Sequence, residues 1–338
     1  MTARTLVIQT SFIGDTVLTT PLIGRLADRS AVDVVVTPIS APLLANNGAV
    51  CEVIVYDKRG SDRGIAGFVR LARRLRERRY AAAYLAQGSM RSAALVLAAG
   101  VRNRVGFETS AGRRLYTERV PYIENDHHAA RLLRLAGADE GATLRPRLYP
   151  GVAERDIVDA LLSRSGSTDE RFVALAPGSV WATKRWPYYA ELATELAERV
   201  VIVGSAADRE LATQVVSAIG ARAIDATGQL SLLASAELIG RAAVLVTNDS
   251  APLHLASAMQ TPTVAIFGPT VPQFGFGPLA PRSIVLGNSS LACRPCDRHG
   301  PQRCPLGHWR CMREITPRQV AAAVQELVAQ PPLPTSSR

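Results

Sequence analysis

Residues 174–187 read Ala-Leu-Ala-Pro-Gly-Ser-Val-Trp-Ala-Thr-Lys-Arg-Trp-Pro. They begin within an apolar run over residues 171–176, which predicts a short buried strand. Pro177, Gly178 and Ser179 break that run, and a small polar loop carries Thr183, Lys184 and Arg185. Pro187 suits the first turn of a helix predicted over residues 188–198. A strand, a glycine break and a helix start form the usual place for an α/β protein to receive a phosphate. The first N–H groups of a helix have no carbonyl partners and point at the anion. Lys184 is one of only two lysines, the other being Lys58, in a chain otherwise charged by arginine. It reads either as a phosphate ligand or as an exposed loop lysine.

The same alternation runs outward in both directions. Strands are predicted at 5–10, 32–37, 53–56, 81–86 and 104–107, with helices at 16–29, 65–79, 90–99 and 127–136. Beyond the opening stretch, strands at 200–203, 222–225, 244–247 and 263–267 alternate with helices at 207–219, 230–240 and 251–259. A last amphipathic helix covers 317–329. This βαβα order predicts α/β domains with parallel sheets covered on both faces. Residues 137–151 carry Gly141, Pro146 and Pro150 without periodicity and read as a linker. The expected organisation is a Rossmann-like domain over 1–150 and a second over 151–330, the two facing a cleft. The tail, 331–338, is expected to be disordered.

At 338 residues and 47% hydrophobic content the chain has material for two cores. No apolar run reaches the length of a membrane span, and the N-terminus enters a strand pattern without a signal-peptide core, so a cytoplasmic location is expected. The net charge of +10 is uneven: residues 1–140 hold 20 Lys/Arg against 13 Asp/Glu. The excess gathers at Arg70, Arg73, Arg74, Arg76, Arg78 and Arg79. That run reads either as a surface for a polyanion or anionic membrane face, or as a solvated helix face. Nucleic acid is not expected, since aromatics are only 5% and do not interleave with the basic residues.

Three further constellations bear on chemistry. Gln-Thr-Ser-Phe-Ile-Gly-Asp, residues 9–15, follows the first strand. Asp15 there reads either as a helix N-cap or as a cleft-facing carboxylate able to accept a hydroxyl proton. This is not the Gly-x-Gly-x-x-Gly turn, which weighs against an NAD-dependent oxidoreductase. Lys184, helped by Thr183 and Ser179, suits a diphosphate that gains charge as it leaves a sugar. Residues 247–258, Thr-Asn-Asp-Ser-Ala-Pro-Leu-His-Leu-Ala-Ser-Ala, place Asp249 and Ser250 at a helix start, with His254 on the same face as Ser250. His254 reads as either structural or functional, and Thr227 lies on a further loop of the same rim. Finally, Cys293, Cys296, Cys304 and Cys311 cluster with His299 and His308. Four thiols suit a closed structural zinc, free thiols or a disulfide, and in each case scaffolding rather than chemistry.

Together these motifs, Ala-Pro-Gly-Ser with Lys-Arg-Trp-Pro and Thr-Asn-Asp-Ser with His-Leu-Ala, resemble those of glycosyltransferase family 9, the ADP-heptose:lipopolysaccharide heptosyltransferases, nearest their heptosyltransferase II branch. The resemblance runs from the first strand to about Pro272. It implies a GT-B fold, with an N-terminal acceptor domain and a C-terminal nucleotide-sugar domain. It also implies inverting, metal-independent transfer of heptose from ADP-heptose to a phosphorylated lipopolysaccharide core of Kdo-lipid A type, at the inner-membrane surface, with no cofactor required. By position, Asp15 resembles the family's general base and Lys184 its donor-phosphate ligand. Asp249, Ser250 and His254 fall in the nucleotide-sugar loop, with Ser179, Thr183 and Thr227 as further donor contacts. Ala251 departs from the glycine common after Asp-Ser, which puts a direct N–H contact there in doubt. The rivals are a non-catalytic nucleotide-sugar or glycolipid binder of the same fold, and a family member using another nucleotide sugar.

Overall fold

The computed structural model describes residues 3–138, 145–163 and 171–330, and the chain divides between Tyr149 and Pro150 into two units. The tail expected to be disordered, 331–338, and part of the expected linker, 139–144, lie outside the described residues.

The first unit runs β1 (Arg4–Gln9), α1 (Ile13–Ala27), β2 (Ala31–Val36), β3 (Glu52–Val55), α2 (Gly64–Glu77), β4 (Ala82–Leu85), α3 (Met90–Ala98), β5 (Asn103–Phe107), β6 (Glu118–Val120) and α4 (His128–Arg134). Its six strands are ordered β3-β2-β1-β4-β5-β6, with every neighbouring pair parallel. β1 and β2 bury almost every residue because helices cover both sheet faces, and apolar residues fill their centres, Leu6 to Ile8 in β1 and Val34 to Val36 in β2. One apolar cluster joins Leu6, Ile8 and Val35 to α2 and α3, while another joins Val7, Val34 and Val36 to α1 and α4. Asp33 is the exception in β2. Its fully buried carboxylate accepts from Tyr80 Oη at 2.7 Å and from Arg78 and Arg4 at 3.1 and 3.2 Å.

The second unit runs α5 (Val152–Ser163), β7 (Phe172–Ala176), α6 (Tyr189–Glu195), β8 (Arg199–Ile202), α7 (Arg209–Ile219), β9 (Ala223–Asp225), α8 (Leu232–Arg241), β10 (Val244–Asn248), α9 (Ala251–Met259), β11 (Thr263–Ile266), β12 (Ser283–Leu286), α10 (Arg310–Arg313) and α11 (Pro317–Ala329). Its sheet is ordered β12-β11-β10-β7-β8-β9, again all parallel. Counted from the first strand of each unit, both sheets have the order 3-2-1-4-5-6 of a doubly wound sheet. The order reverses between β1 and β4 in one sheet and between β7 and β10 in the other. Ligands of open α/β sheets bind beyond the carboxyl ends of the strands at that reversal. Three of the four connections there, 9–15, 177–188 and 249–251, fall in stretches the sequence singles out; the fourth, 86–90, does not.

Several elements differ from the sequence expectation. β6 and β12 are edge strands of three and four residues, too short to stand out as strands even where, as in β12, they contain an Ile-Val-Leu run. α5 buries only Val158, Leu161 and Leu162, so its helical stripe is faint in sequence. α1 starts at Ile13 rather than at 16, which moves Asp15 from the expected cap into the first helical turn.

Candidate active site

In the first unit the chain leaves β1 at the reversal point and turns into α1 with Phe12 as N-cap. Asp15 stands at the third helical position, and its Oδ2 accepts from the Phe12 backbone N–H at 3.3 Å. That bond satisfies one of the helix's orphan donors and aims the carboxylate at the carboxyl edge of the sheet. Asp15 Oδ1 lies 3.8 Å from His128 Nε2 at the start of α4, with the two side chains 16% and 13% exposed. Burial holds the His128 imidazole below its ordinary pKa. The Asp15 charge opposes that shift and Arg131 adds to it. Asp15 is therefore a partly accessible carboxylate fixed by a backbone donor and flanked by a histidine that favours its neutral form. Sequence reasoning left His128 unremarked because nothing local relates it to Asp15.

The same edge carries positive charge that the sequence reading also passed over. Lys58 Nζ donates to the Thr10 carbonyl at 2.8 Å, and Thr10 Oγ1 donates to Gln87 Oε1 at 2.5 Å across the reversal. Burial, with Arg59 and Arg91 nearby, lowers the Lys58 ammonium's pKa. Arg91 Nε donates to Tyr56 Oη at 2.6 Å.

In the second unit, the loop after β7 and the loop after β10 meet at one ion pair. Lys184 Nζ donates to Asp249 Oδ2 at 2.6 Å, with the side chains 13% and 10% exposed, and Thr270 Oγ1 donates to the same oxygen at 2.7 Å. Asp249 thus faces the lysine rather than an anion. Beneath the pair, fully buried Asn248 ties the loops together: its Oδ1 accepts from the Trp186 N–H at 3.1 Å and its Nδ2 donates to the Pro177 carbonyl at 2.8 Å. Trp186 is itself buried and donates through Nε1 to the Ile315 carbonyl. The expectation centred on Lys184 and read Asn248 only as part of the 247–258 stretch, while Thr270, which holds Asp249 in place, lies just past the strand predicted at 263–267.

The other expected donor contacts divide. Ser250 is the N-cap residue of α9, and Pro252 stands in that helix's first turn, where a missing N–H costs nothing. His254 is buried in the same helix with its ring edge-to-face with Phe276. Ser179 Oγ accepts from the Trp181 N–H at 3.3 Å. Thr183 and Thr227 are turned inward: the Thr183 hydroxyl donates to the Pro301 carbonyl, and the Thr227 hydroxyl donates to Asp225 Oδ1 at 2.6 Å. Both are buried, at 3% and 1% exposure, so they shape their loops rather than present a hydroxyl.

The cysteine-rich segment packs against the lysine loop. Gln302 brackets it by accepting from the Ala182 N–H at 3.2 Å and donating to the Val180 carbonyl at 3.0 Å. Arg294 donates to the carbonyls of Phe267 and Thr270, in the turn after β11 that brings Thr270 to Asp249. Gly300 adopts φ +84°, and a side chain there would meet Lys184 Cγ and Cε at 3.3 Å. Cys311 is buried in the main apolar cluster of this unit, which pushes its thiol up to about 11. Cys296 Sγ donates to the Cys293 carbonyl at 3.2 Å. Among the described residues no group of three or more His, Cys, Asp and Glu is arranged to hold a metal ion.

The sequence profile of glycosyltransferase family 9 (heptosyltransferase) matches residues 68–307. The chain belongs to that family. It is 30% identical to lipopolysaccharide heptosyltransferase 2 of Escherichia coli K12, covering 97% of this chain and 99% of that protein. It is 27% identical to lipopolysaccharide heptosyltransferase 1 of Pseudomonas aeruginosa over the same shares. The solved structure of E. coli ADP-heptose lipopolysaccharide heptosyltransferase II superposes with a TM-score of 0.78 at 27% identity, covering 96% of this chain and 98% of that one. The two parallel six-stranded sheets are those of the GT-B fold that the resemblance implied. As a family 9 member the chain is a glycosyltransferase. No helix among its described residues is long and apolar enough to cross a membrane.

Proposed function

We propose that this family 9 transferase moves heptose from ADP-heptose to a phosphorylated lipopolysaccharide inner core with inversion, at the cytoplasmic face of the inner membrane. The single observation that carries the reading is the Lys184–Asp249 pair at the sheet's reversal point, in a chain similar along almost its whole length to named heptosyltransferases. The second unit takes the nucleotide sugar and the first takes the acceptor. Asp15 accepts the proton of the acceptor hydroxyl as its oxygen attacks the anomeric carbon. The bond to ADP breaks, and the electron pair leaves with the diphosphate. Lys184 meets that growing charge. One of its three donors is spent on Asp249, which fixes the ammonium before reaction, so little reorganisation is needed as charge develops. The N-terminus of α9 at Ser250 offers further N–H groups, with Ser179 and His254 beside the donor loops. Lys58 and Arg91 give the acceptor edge a charge that suits a phosphorylated sugar. With the leaving charge met by an ammonium, turnover needs no divalent ion, and rates should survive chelator dialysis.

The test is product analysis by mass spectrometry, with a lipopolysaccharide-core acceptor and a panel of nucleotide sugars. Heptosyl product from ADP-heptose alone supports the reading. Transfer from a different nucleotide sugar, or binding of ADP-heptose without any product, overturns it.

A further inference from the structure

The arginine run on α2 separates in three dimensions into two groups with different work. Arg70 pairs with Asp62 at 2.6 Å, Arg74 pairs with Glu52 at 2.8 Å, and Arg78 pairs with both Glu52 and the buried Asp33. These three hold the helix to its own unit. Arg73, Arg76 and Arg79 point outward, and Arg102, just past α3, joins them around an open groove of about 820 Å³. Among the described residues none of these four has a carboxylate partner, and Glu77 is the one acid in the groove lining. The exposed stripe continues toward the start of α2 through Val69 and Ile65, which are 37% and 82% exposed. Spacings of four residues put Ile65, Val69 and Arg73 on one face.

We propose that this face, Ile65 and Val69 with Arg73, Arg76, Arg79 and Arg102, docks the protein on a bilayer containing anionic phospholipid. Unpaired guanidinium groups complement phosphate headgroups, and their long stems let the charge sit at headgroup level while the helix lies along the surface. Two exposed aliphatic side chains on the same face favour a bilayer over a soluble polyanion, because only the bilayer offers them an apolar boundary. The groove is wide and open rather than a pocket shaped to one ligand, and its lining offers no aromatic platform beyond Tyr80, which is buried against Asp33. The placement also serves the site. α2 begins where the chain leaves the carboxyl end of β3, the edge that carries Asp15, so its apolar end lies on the acceptor side of this unit. The inference rests on the membrane-borne acceptor proposed above, but vesicle binding is read without donor or acceptor, so either can fail alone.

The experiment is co-sedimentation of the full chain with phosphatidylcholine vesicles, with and without phosphatidylglycerol. Binding should require phosphatidylglycerol and weaken as salt is raised. Replacing Arg73, Arg76, Arg79 and Arg102 together by Gln should lower the partition coefficient by about five-fold per residue. Ile65→Asn with Val69→Asn should lower it again, with the thermal transition of both variants unchanged. Equal binding to both vesicle types overturns the proposal, as does undiminished binding by the four-arginine variant. Tighter capture of a DNA duplex than of the anionic vesicles would likewise overturn it and assign the face to nucleic acid.

Discussion

Lys184 Nζ and Asp249 Oδ2 lie 2.6 Å apart although 65 residues separate them in the chain. The pair locks the loop after β7 to the loop after β10, and Thr270 holds the carboxylate from a third side. Replacing Lys184 by Ala should lower kcat/KM by about a hundredfold or more, the usual cost of one preorganised donor at a developing charge. Asp249→Asn keeps the Thr270 bond and loses only the charge that orients the lysine, so a smaller loss is expected. Steady-state kinetics on both single variants and the double should show a double loss well short of the product of the singles, since both act through one ammonium. Independent effects would separate Asp249 from Lys184.

Asp15→Asn preserves the shape of the helix start but cannot take a proton. Turnover should fall by about three orders of magnitude, while ADP-sugar affinity, measured by calorimetry, stays near wild type. Loss of donor affinity in that variant would mean that Asp15 shapes the protein rather than the reaction.

His128 supplies a pH dependence with a defined sign. Its folded pKa is lowered by burial, so between that value and the ordinary value near 6.5 the unfolded chain binds more protons than the folded one. Stability contributed by this residue is therefore intact above about 6.5 and falls with acidification, at up to about 1.4 kcal/mol per pH unit inside the window. His128→Gln should remove this slope. Thermal unfolding of the two proteins between neutral and mildly acidic pH checks it, and parallel curves would contradict the burial argument.

Asn248→Ala leaves the Trp186 N–H and the Pro177 carbonyl buried without their partner. Each such orphan costs about 1–3 kcal/mol, and a clear fall in the denaturant midpoint is expected. Because the same residue joins the two donor loops, ADP affinity should fall with stability. Stability lost with affinity kept would limit Asn248 to the core.

Gly300 presses on the donor lysine from the cysteine-rich segment. An alanine there faces both a left-handed backbone and a contact at 3.3 Å with Lys184, so Gly300→Ala should cost about 1 kcal/mol and reduce kcat. A silent substitution would show that the segment does not set the lysine's position.

How much of this was legible without a structure depends on range. Apolar runs, helical spacing and the Pro-Gly-Ser break are local, and they determined two α/β sheets and the stretches that end at their edges. The motifs around Lys184 and Asp249 were readable for the same reason, because each lies within a single strand–loop–helix turn. Strand order, by contrast, depends on which parallel neighbours pair across tens of residues. Only the tertiary structure decided that Lys184 is met by Asp249, that Asp15 is flanked by His128, and that Thr183 and Thr227 turn inward. The arginine run shows the division most plainly. Composition determined that α2 is basic, but which of its guanidinium groups are spent on Glu52, Asp62 and Asp33 follows from the acids that folding brings beside them.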